Sequence, residues 1–259
     1  MKNIKSLERQ QNNLFQAGIS SDLMKLIAVV SMCIDHLAVV VLKGYVNATL
    51  GEISQEQLKN WEMVYDWMRN IGRMAFPLFA FLLVEGFFHS KNLKKYGIRL
   101  TVAALLSEIP FNLALYGQIW STERQNTIFS LLLGFVMLTI LRELQYRPLQ
   151  DNRKEAESYR VFVLQIGVIA SMALLAYICR VDYTWKGILL MAVFYFFHGY
   201  RNASAIAGFC VFSGVPWSAL GFLLLPFYNG KRNGKGYLLY LFYPVHLLVL
   251  WGVLQMVLL

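Results

Sequence analysis

The first residues in this sequence that could do chemistry are ionisable side chains set inside long apolar runs. Asp35 and His36 lie in one run, Arg73 and Glu85 in the next, and Arg99 and Glu108 in a third, with polar Asn112 one turn after Glu108. A charge in hydrocarbon is costly enough that it marks either a site or a buried interhelical ion pair. His36 is the natural general base, because an unperturbed imidazole titrates at about 6.5 and can take and return a proton near neutrality. Asp35 is about 100° around the helix from its neighbour and cannot orient that ring, so Arg73 or a lysine is its expected partner. Lys25 precedes His36 by eleven residues. That is close to three turns and roughly 16 Å, which puts both on one face, as a long ligand threaded toward a buried histidine would require.

The elements that position these residues follow from composition. The 259 residues are 57% hydrophobic and 15% charged, against roughly 45–50% and 25% in soluble domains. Too little polar surface remains for a soluble enzyme, a disordered chain or a disulfide scaffold. Apolar runs at 23–42, 71–89, 98–117, 126–142, 160–180, 184–199 and 237–258 each have the length of a spanning helix or close to it. The stretch 204–228 is interrupted by Ser213, Gly214, Val215 and Pro216, and reads as a broken hairpin of two short helices. The expected fold is therefore an all-α polytopic integral membrane bundle of about 8–9 transmembrane helices, with residues 1–259 as a single membrane domain. Trp61, Val64, Tyr65 and Met68 suggest a short amphipathic helix lying at the outer interface, near Trp67.

Basic residues give the orientation. With the N-terminus cytoplasmic, 17 of the 24 Lys and Arg fall on the inside. The seven others, Lys43, Lys59, Arg69, Arg73, Arg124, Arg180 and Lys186, fall in or beside outside segments that also carry acidic residues. In this arrangement His36 and Arg73 share a depth near the outer surface, while Lys25 and Glu85 lie toward the cytoplasmic ends. The net charge of +9 fits cytoplasmic loops on an anionic leaflet, and no nucleic-acid partner is expected. Cys33, Cys179 and Cys210 stand alone, no metal-ligand spacing is present, and no Walker, GxSxG or HExxH motif occurs. His89 and His198 read as residues of cytoplasmic helix ends, Asp182 and Tyr183 as polar outliers, and His246, after Pro244, as equally compatible with a site or a structural role.

Several segments together resemble the TraX family. They are Ser21-Asp22-Leu23-Met24-Lys25 running to Ile34-Asp35-His36, Gly72-Arg73-Met74-Ala75-Phe76-Pro77 ending in Glu85-Gly86-Phe87, and Lys95-Tyr96-Gly97-Ile98-Arg99 leading to Ser107-Glu108-Ile109-Pro110-Phe111-Asn112. Asn126-Thr127-Ile128-Phe129-Ser130, Asp182-Tyr183, Tyr228-Asn229-Gly230 and Tyr240-Leu241-Phe242-Tyr243-Pro244-Val245-His246 extend the resemblance over nearly all the chain from residue 21. The family takes its name from N-terminal acetylation of F-type conjugative pilin and is similar to a wider superfamily of transmembrane acyltransferases. In related bacterial O-acyltransferases a basic residue precedes the catalytic first-span histidine by the spacing of Lys25 and His36.

The resemblance implies a multi-pass enzyme of the bacterial cytoplasmic (inner) membrane that transfers acetyl from cytoplasmic acetyl-CoA to a peptide amine, a sugar hydroxyl or amine, or a small molecule. His36 would be the general base, Arg73 the donor to the developing oxyanion, and Asp35 and Glu85 the holders of these cations. Lys25, Lys95, Arg99, Lys231 and Arg232 would meet the phosphates of the cofactor, and no metal is expected. Glu108, Asn112, Asp182, Tyr183 and His246 complete the buried polar set. The rival reading is a non-enzymatic channel, transporter or pilus-assembly factor. It calls for a continuous polar stripe, whereas the charges gather in the first three spans.

Overall fold

The computed structural model describes residues 18–146, 156–231 and 238–259. The chain is all-α, and among the described residues the only extended pairings are two isolated bridges, Ile19 with Tyr228 and Gln125 with Val181. Six helices are long and apolar enough to cross a membrane, and Thr184–Phe196 and Pro216–Phe227 are shorter apolar helices beside them. The protein is a polytopic membrane bundle. Its helices are α1 (Ser21–His36), α2 (Lys43–Ala48), α3 (Gln55–Gly72), α4 (Ala75–His89), α5 (Leu93–Tyr116) and α6 (Thr127–Tyr146), followed by α7 (Ala156–Ile178), α8 (Thr184–Phe196), α9 (Arg201–Val211), α10 (Ala219–Leu224) and α11 (Leu238–Val257).

Local sequence accounts for most boundaries. The Ser20 hydroxyl accepts the Leu23 amide to open α1, and Asp22 sits in its positive first turn. Asn92 caps α5 in the same way, through the amide of Lys95. At the other end of α5, Gly117 closes the helix at φ +66, a left-handed conformation that a Cβ would resist. The break expected within 204–228 is present: α9 ends at Val211, and Pro216 opens a 3-10 turn leading into α10.

Two elements differ from expectation. The polar segment with Trp61, Tyr65 and Met68 does not stand apart but passes through a turn at Arg73 and Met74 into α4, the two forming one 35-residue helical run, Gln55–His89. Continuity survives Gly72 because the Arg73 amide still donates to the carbonyls of Arg69 and Asn70. At about 1.5 Å per residue this run reaches roughly 50 Å, well beyond a hydrocarbon core of about 30 Å. Secondly, immediately after His36 the first span widens into a π-helix, Leu37–Leu42, before resuming as α2. Such bulges inside helices concentrate at functional sites.

Packing gathers the polar residues. α11 lies along α5, α1 contacts α3 and α4, and α8 is wedged against α4, α6 and α7. Glu108, on α5, receives the Asn126 side-chain amide at 2.6 Å, and that amide also donates to the Ala104 carbonyl at 2.9 Å. The Asn126 carbonyl oxygen in turn accepts the Ile128 amide at the start of α6. Glu108 is thus a structural clasp with neutral partners, Asn112 among them at 3.4 Å. Asn126→Ala is expected to lower unfolding free energy in detergent by about 1–3 kcal/mol, since it removes the shortest hydrogen bond to the half-buried Glu108 carboxylate and the side-chain donor to the Ala104 carbonyl. An unchanged thermal midpoint would contradict the clasp.

Candidate active site

His36 ends the α-helical part of the first span, 8% exposed, and α11 brings His246 against it, also 8% exposed. The two rings are stacked with centroids 5.0 Å apart, and Nδ1 of His36 lies 2.7 Å from Nε2 of His246. Chemistry fixes the protons of the neutral pair. His246 Nδ1 lies 3.1 Å from the Phe242 carbonyl, which can only accept, so Nδ1 carries the proton and Nε2 is a lone pair. His36 Nδ1–H must then donate to His246, which leaves Nε2 of His36 unprotonated. A buried imidazole with a defined lone pair is what a general base requires. Pro244 supplies no amide to the turn before His246, loosening α11 where the ring must reach the backbone.

Asp35 accepts the Arg69 guanidinium at 2.5 Å. Its expected partner was Arg73 or a lysine; the helical continuity of α3 instead aims Arg69, one turn before Gly72, at the carboxylate. Gly72 is essential to this approach, because a Cβ built there would strike the Asp35 carboxyl. Arg73 lines the same cavity as Asp35 and His36 but forms no ion pair among the described residues.

Two cavities run in from opposite ends of the bundle. The first, about 520 Å³, begins at Ser21 and Lys25, includes Lys95 and Arg99, and ends at Met32, Thr127 and Tyr243. The second, about 420 Å³, contains Asp35, His36, Arg69, Arg73, Arg124 and Asp182. Tyr243 and Thr127 of the first touch residues of the second. Tyr243 stands edge-on to His36 with centroids 6.0 Å apart, and Thr127, which faces the first cavity, donates its hydroxyl at 2.8 Å to Asp182 of the second. The buried Tyr243 hydroxyl finds no hydrogen-bond partner of good geometry among the described residues.

Asp182 and Tyr183 sit on a turn whose flanks are strained, with Arg180 at φ +52 and Thr184 at φ +44. A β-branched residue with positive φ is costly and persists only where its surroundings enforce it. Here the Gln125 amide donates to the Arg180 carbonyl, and the Tyr183 ring stacks on Phe76 at 3.6 Å.

The remaining site residues lie elsewhere. Glu85 does not hold His36 or Arg73: it lies 3.1 Å from His198 and 4.0 Å from His89. The three residues present ligand atoms within 4.8 Å of one another and are the grouping among the described residues that could hold a metal ion. Metal-ligand spacing was not visible there because His198 comes from a distant segment. Lys25 pairs with Asp22 at 3.0 Å at the mouth of the first cavity. Lys231 does not line that cavity, but its carbonyl accepts the Ser21 amide at the same mouth. Arg232 lies outside the described residues. Asn112 is fully buried beside Glu108. Arg69, Thr127 and Tyr243 were not singled out from the sequence: the first lay in a mixed-charge segment, and the others carry no charge to betray their position.

The family model described as TraX protein matches residues 20–254. A relative from Dichelobacter nodosus, named "Probable fimbrial assembly protein FimC, serogroup H1", is 30% identical over 245 residues, covering 88% of this chain and 92% of its own. No solved structure matches. The match reaches from just before α1 to within a few residues of the end of α11, and so takes in both cavities and the histidine pair: the chain belongs to the TraX family.

Proposed function

We propose that this protein transfers an acetyl group from acetyl-CoA, held in the first cavity, to an amine or hydroxyl acceptor that enters the second. The observation that carries the reading is the position of His36, which lines the second cavity and stands edge-on to Tyr243 of the first. In this reading the protein sits in the inner membrane of a bacterium, and the bias of basic residues supports a cytoplasmic first cavity with the N-terminus on the same side.

Lys25, Lys95 and Arg99 present cations where the cofactor's phosphates would lie. Its thioester then reaches the wall formed by Thr127 and Tyr243. Nε2 of His36 removes a proton from the acceptor as its nitrogen or oxygen attacks the thioester carbonyl carbon. The Tyr243 hydroxyl, which has no hydrogen bond of good geometry, is on the donor side and is better placed than Arg73 to donate to the developing oxyanion. Collapse breaks the carbon–sulfur bond, and the CoA thiolate leaves with the proton held by His36. His246 fixes the tautomer.

The test is purified protein in liposomes, with radiolabelled acetyl-CoA on one side and candidate acceptors on the other, products being read by mass spectrometry. A pilus subunit with a free N-terminus is one acceptor to include, given the name of the Dichelobacter relative. Label on an acceptor supports transfer; solute flux without acetyl-CoA turnover supports the channel reading. Arg99→Ala is expected to raise the KM for acetyl-CoA about tenfold with little change in kcat, as loss of a phosphate contact does. An unaltered KM would remove Arg99 from the cofactor site.

A further inference from the structure

Seven basic residues of this chain fall outside the cytoplasmic set by charge counting, against the usual bias of membrane proteins. Five of the seven, Lys43, Arg69, Arg73, Arg124 and Lys186, line the second cavity. Charges placed at random on that surface would not converge on one hollow. The carboxylates facing them there are Asp35 and Asp182, and both are already engaged: Asp35 with Arg69 at 2.5 Å, Asp182 with Thr127 at 2.8 Å and with Arg124 at 3.8 Å. Arg73, Lys43 and Lys186 have no carboxylate within ion-pair distance among the described residues. Lys186 rests its ammonium 5.7 Å above the Trp185 ring, a contact that leaves its donors available. Arg73 is half-buried beside the Asp35–Arg69 pair, where an unneutralised guanidinium calls for an anion.

We infer that the second cavity binds an oxyanion, a carboxylate or phosphate, carried by the acceptor some distance from its nucleophile. This deepens the proposed acetyl transfer and rests on it for the word acceptor; the anion site itself rests on the cations. Arg73 receives the group in a planar fork, and Lys186 and Lys43 add charge toward the mouth. The aromatic walls of Tyr65, Tyr116, Phe111 and Phe212 leave room for an apolar or planar part between anion and nucleophile. Neutral acceptors would leave three cations unmatched and bind weakly.

The test measures binding of pyrophosphate and of citrate to the full chain in neutral detergent, by thermal stabilisation and by titration calorimetry, without acetyl-CoA. Two double variants are compared with wild type: Arg73→Gln with Lys186→Gln, and Lys95→Gln with Arg99→Gln. Binding of either probe, weakened about tenfold or more in the first variant and not in the second, is the expected result; the better probe tells phosphate from carboxylate. Absence of binding, or loss confined to the second variant, would overturn the inference, the latter by placing the anion in the first cavity. Because the readout needs no acetyl transfer, its failure is distinct from failure of the catalytic reading, which shows as no turnover of acetyl-CoA with intact anion binding.

Discussion

His36→Ala is expected to lower acetyl transfer by about 10²–10⁴-fold, the range that a positioned general base contributes. The side chain is buried against His246 and not engaged in an ion pair, so the truncation removes one hydrogen bond and some stacking and leaves the Asp35–Arg69 pair in place. Thermal unfolding in detergent separates the alternatives, because a folding defect would lower the yield and midpoint in step with activity. His246→Ala should fall between wild type and His36→Ala. Without the Nε2 acceptor, His36 loses the partner that holds its proton on Nδ1, and a fraction of the molecules presents N–H where a lone pair is needed. Equal transfer by His36→Ala and wild type would end the assignment of the base.

Gly72→Ala is the second large effect, and it acts through Asp35. An added Cβ strikes the Asp35 carboxyl and Cβ, and because α1 and α3 pack together along the same contact the strain passes into both helices. The carboxylate must leave Arg69, freeing a guanidinium at the edge of the second cavity and tilting the helix that carries His36. A cost of about 1–3 kcal/mol in unfolding free energy is expected from overpacking, with a further loss of more than about tenfold in transfer from the misplaced base. The signature is non-additivity. In Asp35→Gly the carboxyl and the Cβ that obstruct position 72 are both gone, so adding Gly72→Ala should cost little beyond the single change; two fully additive losses would show that Gly72 matters for another reason.

How much of this was legible follows the physics of each residue. Asp35 and His36 announced themselves because hydrocarbon neighbours make any charge conspicuous, and the same rule found Glu108, although its partners proved to be neutral amides. The broken hairpin was readable from Pro216. Arg69 was hidden, since a segment of mixed charge gives no sign that its last turn continues into a span. His246 stayed open because its meaning lies in a contact across 210 positions, which no local pattern encodes. Glu85 was correctly seen as buried but given the wrong company, because depth along a span says nothing about which neighbouring helix turns toward it. Tyr243 is one of 14 tyrosines, and only packing distinguishes a buried hydroxyl from an interfacial anchor.

The π-helical stretch Leu37–Leu42 bears on how this bundle tolerates insertion and deletion. A π-turn accommodates a residue more than an α-helix of the same length, so deleting one residue between Leu37 and Leu42 would let the chain relax to ordinary α geometry. The deletion closes the π-turn and rotates nothing that follows, so His36 before it and Lys43 after it would both keep their faces. The first span is therefore two halves held in phase by a joint with one surplus residue. The same deletion placed within α1, where the geometry is α throughout, would instead turn the two halves by about 100° relative to each other. The joint after His36 is thus a place where the span can lose a residue without turning His36 from His246 or Lys43 from the cavity rim.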